Sequence, residues 1–559
     1  MTRATSHLLF ILLLVVGVAA AGAHDDAAVR RTLEEFAGFP ASDDGEGPSA
    51  AFRVDAEGLQ RQIDELASFS DSPAPSVTRV LYSDKDVQAR RYIKGKMNQL
   101  GLAVREDAVG NIFGRWEGSE AELGAVGTGS HVDAIPFSGK YDGVVGVLGA
   151  LEAISLLKRY RADTALKDIS CHDSWLFKHR ITFVFILKRT LPVWTACVGT
   201  DLVSSQKDLW RSLCSHQRNL QDLELAAWEG GSSTIIVFSC VNHYVTLISW
   251  FLSFHSFKLC SRLMAGIEEL TQSLRNIVDN QNVSFLDAAE SAGYKMDPED
   301  LRSVFLNKDS YSAFVELHIE QGPILEKEGI PIGIVTAIAA PASITVEFEG
   351  NGGHAGAVLM PERNDAGLAA AELALAVEKH VLESGSIDTV GTVGMSTSNV
   401  SFLNACDIMI SYSILQLHPG AINSIPSKSH LEIDVRDIDE KRRNDVIEKV
   451  RRSATEISKN RGVVLSEFKI INQDPPALSG KSVVDAMEFA AKQLNLEYKK
   501  MISRAYHDSL FMARVSPMGM IFIPCYKGYS HKPEEYASPE DMSNGVQVLA
   551  LTMAKLSLE

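Results

Sequence analysis

Gly127-Thr-Gly-Ser-His131-Val-Asp133 is followed after a short loop by Gly139-Lys-Tyr-Asp142-Gly143, which sets one imidazole and two carboxylates at loop ends. A neutral His131, together with an Asp142 carboxylate that can share its two oxygens between ions, suits a hydrolytic divalent metal. Asp133, two residues on, can orient the imidazole from behind. Zinc or manganese fits such donors; soft metals do not. Taken singly, His131 reads equally as a strand-end histidine and Asp142 as a turn residue beside Gly143. Ligand-type groups recur at loop-like positions far along the chain: His318-Ile-Glu320-Gln321-Gly322, Gly353-His354-Ala-Gly356, Tyr506-His507-Asp508-Ser509 and Tyr529-Ser-His531-Lys-Pro-Glu534-Glu535.

These groups need elements to hold them. Leu123-Gly-Ala-Val126 reads as a short buried strand, and Val144 to Leu157 has the apolar spacing of a helix behind it, so the first ligands sit at the top of a sheet. Strand and helix patterns alternate over 54–160 and 261–340 and return over 475–559, which predicts an α/β domain interrupted by a separate module at 341–474. In that module Val346-Glu-Phe-Glu, the Ala366 to Leu382 helix pattern, Leu431 to Val435 and the Lys441 to Lys459 helix pattern predict an α+β fold. A length of 559 residues accommodates both domains.

The order of the motifs resembles the M20 family of metal-dependent amidohydrolases, in the branch containing allantoate amidohydrolases, N-carbamoyl amino acid hydrolases and ureidoglycolate amidohydrolases. FSDSPAPSVTR, TGSHVDAIPFSGKYDGVVGVLGA, ELHIEQGPILE, GNGGHAGAVLMPERNDA, HPGAINSIPS, SRAYHDS and YKGYSHKPEE carry the resemblance from Leu66 to the C-terminus, apart from two internal stretches. It implies an α/β, two-domain M20-type amidohydrolase whose inserted α+β module is a dimerisation lid. It further implies that His131 and His531 are terminal ligands, Asp142 bridges a pair of manganese ions (zinc being the alternative), and His318 is the remaining histidine ligand. By the same resemblance Gln321, Asn423, Arg436 and His507 contact a small ureido substrate, and His354 reaches into the neighbouring subunit of a homodimer. The planar fork of Arg436 suits a substrate carboxylate, and His354 suits an oxyanion. Without the resemblance, Arg436 in Ile433-Asp-Val-Arg-Asp437 reads as a strand residue paired to a neighbouring carboxylate. Likewise His354 reads as a glycine-loop residue, His507 as a capping partner of Asp508, and Gln321 as a turn closer. Ser503-Arg-Ala-Tyr-His-Asp-Ser509 departs from the SGAGHDA string of allantoate and carbamoyl amino acid hydrolases, and bulky Arg504 and Tyr506 predict a smaller substrate. Ureidoglycolate, cleaved to glyoxylate, ammonia and carbon dioxide, is the expected one, with allantoate or another N-carbamoyl compound as the alternative.

One departure bears on activity. The family has adjacent glutamates, in a string like FTSEEPTRFG, between the Asp142 region and the HIEQG motif: one is the general base for the attacking water, the other a ligand of the second ion. Neither is present in this chain. The resemblance stops after Arg159 and resumes at Ser261; the stretch 161–260 holds Cys171, Cys197, Cys214, Cys240 and Cys260 of the seven cysteines, and Trp175, Trp194, Trp210, Trp228 and Trp250 of the six tryptophans. Spelled TTC ACA TCA GAG GAA CCT ACA AGA TTT GGA, with A as the next base, and read one base later, FTSEEPTRFG becomes SHQRNLQDLE, the sequence of Ser215 to Glu224. Ser204 to Glu229 is therefore read as the catalytic exon out of frame, flanked by translated intron; 395–413, which splits TVGILQLHPGAINS, reads as a second retained intron. Glu224 and Glu229 are poor substitutes at the wrong spacing, so the chain as it stands is expected to bind metal weakly and turn over negligibly. A catalytically dead, dimerising scaffold is the reading from a different class.

The ends and the composition set further bounds. Arg3, the apolar run Leu8 to Val18 and Ala19-Ala-Ala-Gly-Ala23 have the form of a signal peptide over 1–23, and polar 24–53 reads as a flexible segment. Entry into the secretory pathway follows, with the endoplasmic reticulum lumen implied by the resemblance and no membrane anchor once the signal is removed. The apolar run Ile235 to Leu259 approaches the ~20 residues that span a bilayer. Asn242, His243 and His255 interrupt it. A net charge of -17 excludes a phosphate-binding stripe, hence nucleic acid.

Overall fold

A computed structural model of the chain describes residues 52–120, 122–167, 181–185, 259–276, 283–294, 298–394 and 415–558. The signal peptide, nearly all of the flexible segment, most of the 161–260 stretch with its apolar run, and the 395–413 interruption lie outside the described residues.

The larger core surrounds a nine-stranded sheet. Its centre is parallel: Met518–Ile523 pairs with Tyr311–Ile319, which pairs with Ala125–Thr128, which pairs with Ile181–Phe185. Ile112–Trp116 and Ala103–Glu106 continue one side antiparallel, while Ile332–Ile338 continues the other and pairs with both Ala477–Leu478 and Tyr498–Ser503. Parallel strands are covered on both faces, so they read as apolar runs; every residue of Met518–Ile523 is buried, and so is every residue of Tyr311–Ile319 except Ser312. Helix Val144–Lys167 begins where the sequence predicts and runs past Leu157, packing with Pro539–Leu558 against the Tyr311–Ile319 strand. The approach is close: a Cβ on Gly146 would lie 2.3 Å from the Leu317 carbonyl, so this helix position accepts only glycine.

Ile181–Phe185 falls inside the stretch read as foreign, yet it fills the sheet between Ala125–Thr128 and Ile112–Trp116. Ile-Thr-Phe-Val-Phe is β-branched and aromatic throughout, and such a run suits a central strand whatever its origin.

A second core belongs to 340–474, where five antiparallel strands are covered by the helices Ala366–Leu382 and Glu440–Arg461. Lys428–Asp437 alternates half-buried and buried residues along its whole length, as expected of a sheet with helices on one face. Asp365 caps the first helix through Gly367 N and Leu368 N, and Asp439 caps the second through Arg442 N. The chain leaves the larger sheet at Ala339 and returns after Asp474. Both crossings are held by Arg443, whose buried guanidinium donates to the carbonyls of Ala340 and Asp474. No helix among the described residues is long and apolar enough to cross a membrane.

Candidate metal centre

Strand Ala125–Thr128 delivers His131 just beyond its carboxyl end, and Tyr311–Ile319 delivers His318 as its penultimate residue. The carboxyl ends of parallel strands are where α/β sheets leave a cleft for ligands. Asp142 enters from the turn before helix Val144–Lys167. Next to it Gly143 adopts φ +70°, where a Cβ would meet the His131 carbonyl at 2.5 Å. This glycine lets the Asp142 turn lie directly on His131.

The three side chains converge. Asp142 Oδ1 lies 3.1 Å from His318 Nε2 and 3.6 Å from His131 Nε2. The other oxygen, Oδ2, lies 3.2 Å from Nε2 of His531, which comes in from the loop after Met518–Ile523. His131, Asp142 and His318 can each present a ligand atom within 4.8 Å of the others, and Glu316, His318 and His507 form a second such group. The histidine tautomers follow from the opposite ring atoms. His318 Nδ1 is 2.8 Å from the Ile319 carbonyl and His131 Nδ1 is 3.1 Å from that of Asp133. A carbonyl only accepts, so each neutral ring keeps its proton on Nδ1 and turns the Nε2 lone pair toward the Asp142 carboxylate. Lone pairs facing a carboxylate oxygen are stable when a cation lies among them, and imidazole plus carboxylate is the donor set of zinc or manganese. The Asp133 carboxylate stands 3.4 Å from His131 Nδ1, so its backbone carbonyl is the nearer orienting group.

Three further residues hold this arrangement, of which sequence reasoning named only Glu535, among the ligand-type groups near His531. Glu316, buried, accepts from Ser130 Oγ at 2.7 Å, Ser509 Oγ at 2.6 Å and Ser509 N at 3.0 Å, joining the residue before His131 to the turn after His507. Glu535 accepts the backbone N–H groups of Tyr141 at 2.7 Å and Asp142 at 2.8 Å. Burial, and then the Asp142 charge, push its carboxyl up to about 7. Arg79, also buried, donates to the carbonyls of Val132, Leu66 and Phe69, and its guanidinium is lowered to about 10 by burial against the opposing pull of Asp86 and Asp133. Glu316 was legible in principle: a glutamate two residues before His318 in an apolar strand shares the face of that histidine.

The predicted substrate contacts separate into two sets. His507 joins the cluster, its ring 4.7 Å from His318, with Nε2 2.9 Å from Ser503 Oγ. Gln321 is near: its amide donates to Ser530 Oγ at 2.8 Å, and that hydroxyl donates to Glu535 Oε2 at 3.2 Å. His354 and Asn423 stand together on the exposed lid ribbon of Gly353–His354 and Ser424–Ile425, where Ala355 N donates to the Asn423 carbonyl at 2.8 Å. Arg436 points its fork at Asp434, with Nε 2.7 Å from Oδ1 and Nη2 3.2 Å from Oδ2. Arg504 and Tyr506, expected to narrow a pocket wall, engage lid residues instead: Arg504 pairs with Asp388, and the Tyr506 hydroxyl donates to Asp474 Oδ2 at 2.7 Å. A guanidinium and a phenol each found a carboxylate within reach. The string FTSEEPTRFG does not occur in the sequence, and Ser204 to Glu229, read as its out-of-frame equivalent, lies outside the described residues.

Residues 263–555 match peptidase family M20/M25/M40. The chain is similar to the ureidoglycolate hydrolase of Oryza sativa subsp. japonica, 68% identical over 534 residues that cover 94% of this chain and 91% of that protein. It is also similar to the ureidoglycolate hydrolase of Arabidopsis thaliana, 57% identical, covering 99% and 97%. Among solved structures, AtUAH in complex with glyoxylate superimposes with a TM-score of 0.69 at 59% identity, covering 91% of this chain and 99% of that one.

Proposed function

Because the chain belongs to peptidase family M20/M25/M40, we propose that its cleft hydrolyses the ureido group of ureidoglycolate, releasing glyoxylate, ammonia and carbon dioxide in purine catabolism. The observation that carries the reading is Asp142, whose two carboxylate oxygens face different histidines, His318 and His131 on one side and His531 on the other. Relatives at 68% and 57% identity are named for this activity, whereas the allantoate amidohydrolase of Escherichia coli is 25% identical.

His131, Asp142, His318 and His531 would hold the divalent metal, manganese by the family resemblance, with zinc as the alternative. Bound there, the metal would supply Lewis acidity toward the ureido carbonyl and a lowered pKa for water. The chain's own groups prepare the rest. His507, buried against His318 and Phe522, holds one edge of the cleft, and Gln321 presents its amide from a left-handed turn at φ 56°. Arg436 would take the substrate carboxylate by sharing or exchanging its Asp434 partner, since one fork satisfies one carboxylate well. His354 and Asn423, exposed on the lid, would complete the site from a second subunit. A homodimer is supported by the outer face of helix Ala366–Leu382, where Leu368, Leu375 and Leu382 recur every seventh residue and are 42%, 68% and 78% exposed. The hydrophobic N-terminal segment supports delivery to the endoplasmic reticulum lumen.

The absent glutamate pair favours a second reading for the chain as it stands, a folded scaffold without turnover. One assay separates the two. The full chain, and a version in which Ser204 to Glu229 is replaced by the sequence of the shifted frame with its flanking stretches removed, so that the restored segment takes the sheet position of Ile181–Phe185, are supplied with manganese and given ureidoglycolate or allantoate. Ammonia release from ureidoglycolate by the second version alone supports both the activity and the frame reading. Preference for allantoate overturns the substrate, and full activity of the unaltered chain overturns the account of the missing base.

A further inference from the structure

Ser503 to Ser509 runs from the edge of the larger sheet to the histidine cluster and carries His507. Two of its side chains are held by the other unit. Arg504 pairs with Asp388, which lies just ahead of the lid strand Val390–Gly394, and the Arg504 carbonyl accepts from Arg436 Nη1 at 3.1 Å. Tyr506 donates to Asp474 at the return crossing. The same buried carboxylate also takes Arg514 Nη2 at 3.1 Å and faces Arg262 Nη1 at 3.7 Å. The outgoing and returning crossings are themselves tied by Arg443.

We propose that Arg504 and Tyr506 are positioning residues that couple the placement of His507 to the hinge end of the lid, Tyr506 through Asp474 and Arg504 through Asp388 and Arg436. The mechanics follow from where the partners stand. Arg443 holds Asp474 beside Ala340, and Arg436 pairs in the sheet with Pro341 and with Val390, so Asp388, Arg436 and Asp474 all stand at the end of the lid sheet nearest the two crossings. The Arg504 backbone and guanidinium and the Tyr506 hydroxyl are all bonded to that hinge end, which holds the segment from one side. His507, the next residue, is thereby set against His318 by contacts that originate at the hinge. A glycine-rich string at these positions has neither a guanidinium nor a phenol and could not make the connection. The inference goes beyond the proposed activity and does not depend on which ureido compound is cleaved.

Hydrogen exchange followed by mass spectrometry on the full chain tests it with two mild variants, Asp388→Ala at a half-buried ion pair and Tyr506→Phe, which keeps the ring packed on Phe511. Each should raise exchange over residues 503–512 by about threefold or more, the scale of losing one such contact. Helix Ala366–Leu382 and strand Tyr311–Ile319 should keep their protection, and Asp388→Glu should restore the segment. Unchanged exchange at 503–512 in both variants overturns the proposal. So does a rise spread evenly over the lid helix and the core strand, or a failure of Asp388→Glu to restore protection.

Discussion

Removing the Glu316 carboxylate tests whether the cluster is held by the layer beneath it. Glu316 is buried on the central strand and accepts three hydrogen bonds, from Ser130 Oγ, Ser509 Oγ and Ser509 N. The hydroxyls can turn to other acceptors, but a buried backbone N–H cannot. At roughly 1 to 1.5 kcal/mol for each hydrogen bond, three bonds amount to about 3 to 4.5 kcal/mol, and the vacated methylenes add a cavity term. Glu316→Ala should therefore destabilise the larger domain by about 4 kcal/mol. Glu316→Gln should lose about half of that, since its carbonyl can serve Ser509 while its amide donates to Ser130. Urea unfolding followed by far-ultraviolet circular dichroism reads the change as a shift in midpoint at constant slope. Because Ser130 precedes His131 and Ser509 follows His507 in the turn, manganese affinity should fall in the same order, alanine below glutamine below wild type. A loss below about 1 kcal/mol for Glu316→Ala, or unchanged manganese affinity, would refute the reasoning.

Calorimetric titration of manganese into the full chain should show weak binding, with His318→Ala removing it and Asp142→Asn weakening it at least about tenfold; equal affinity in all three would remove these residues from the metal centre. On the lid, Leu375→Glu places a charge on the exposed leucine stripe and should shift sedimentation from dimer to monomer without altering the unfolding midpoint of the monomer, whereas an undisturbed dimer would move the interface elsewhere. Acid stability should depend on Asp437. Burial raises its carboxyl, but the Arg442 fork, the Thr389 hydroxyl and the Asp439 amide overcome this and hold it below its usual 3.8. A depressed acid contributes stability above its unfolded value and loses it as pH falls through the folded value, so thermal midpoints should drop below about pH 4. Asp437→Asn should flatten that drop; an identical acid slope would count against it.

Much of the candidate centre was legible in the sequence. Singly, His131, Asp142 and His507 each had an ordinary structural reading; with His318 and His531 they stood out because they recur in the order of the family that the chain resembles. Substrate-facing partners were harder. Arg436 matched two readings, and the fold gives it the nearest carboxylate, Asp434, as pairing along a strand allows. Arg504 and Tyr506 looked like pocket walls because their size was visible and their direction was not.

The division has a physical cause. Periodicity is local, so the sequence alone determined the strand ahead of His131, the helix after Asp142 and the lid helices Ala366–Leu382 and Glu440–Arg461. Convergence is not local. Only the tertiary fold decided that Asp142 presents its two oxygens to histidines nearly two hundred and nearly four hundred residues away, that Glu316 ties Ser130 to Ser509, and that a phenol at 506 reaches a carboxylate at the pivot of the lid. Those contacts depend on sheet order and on which strand ends meet, and no spacing along the chain encodes them.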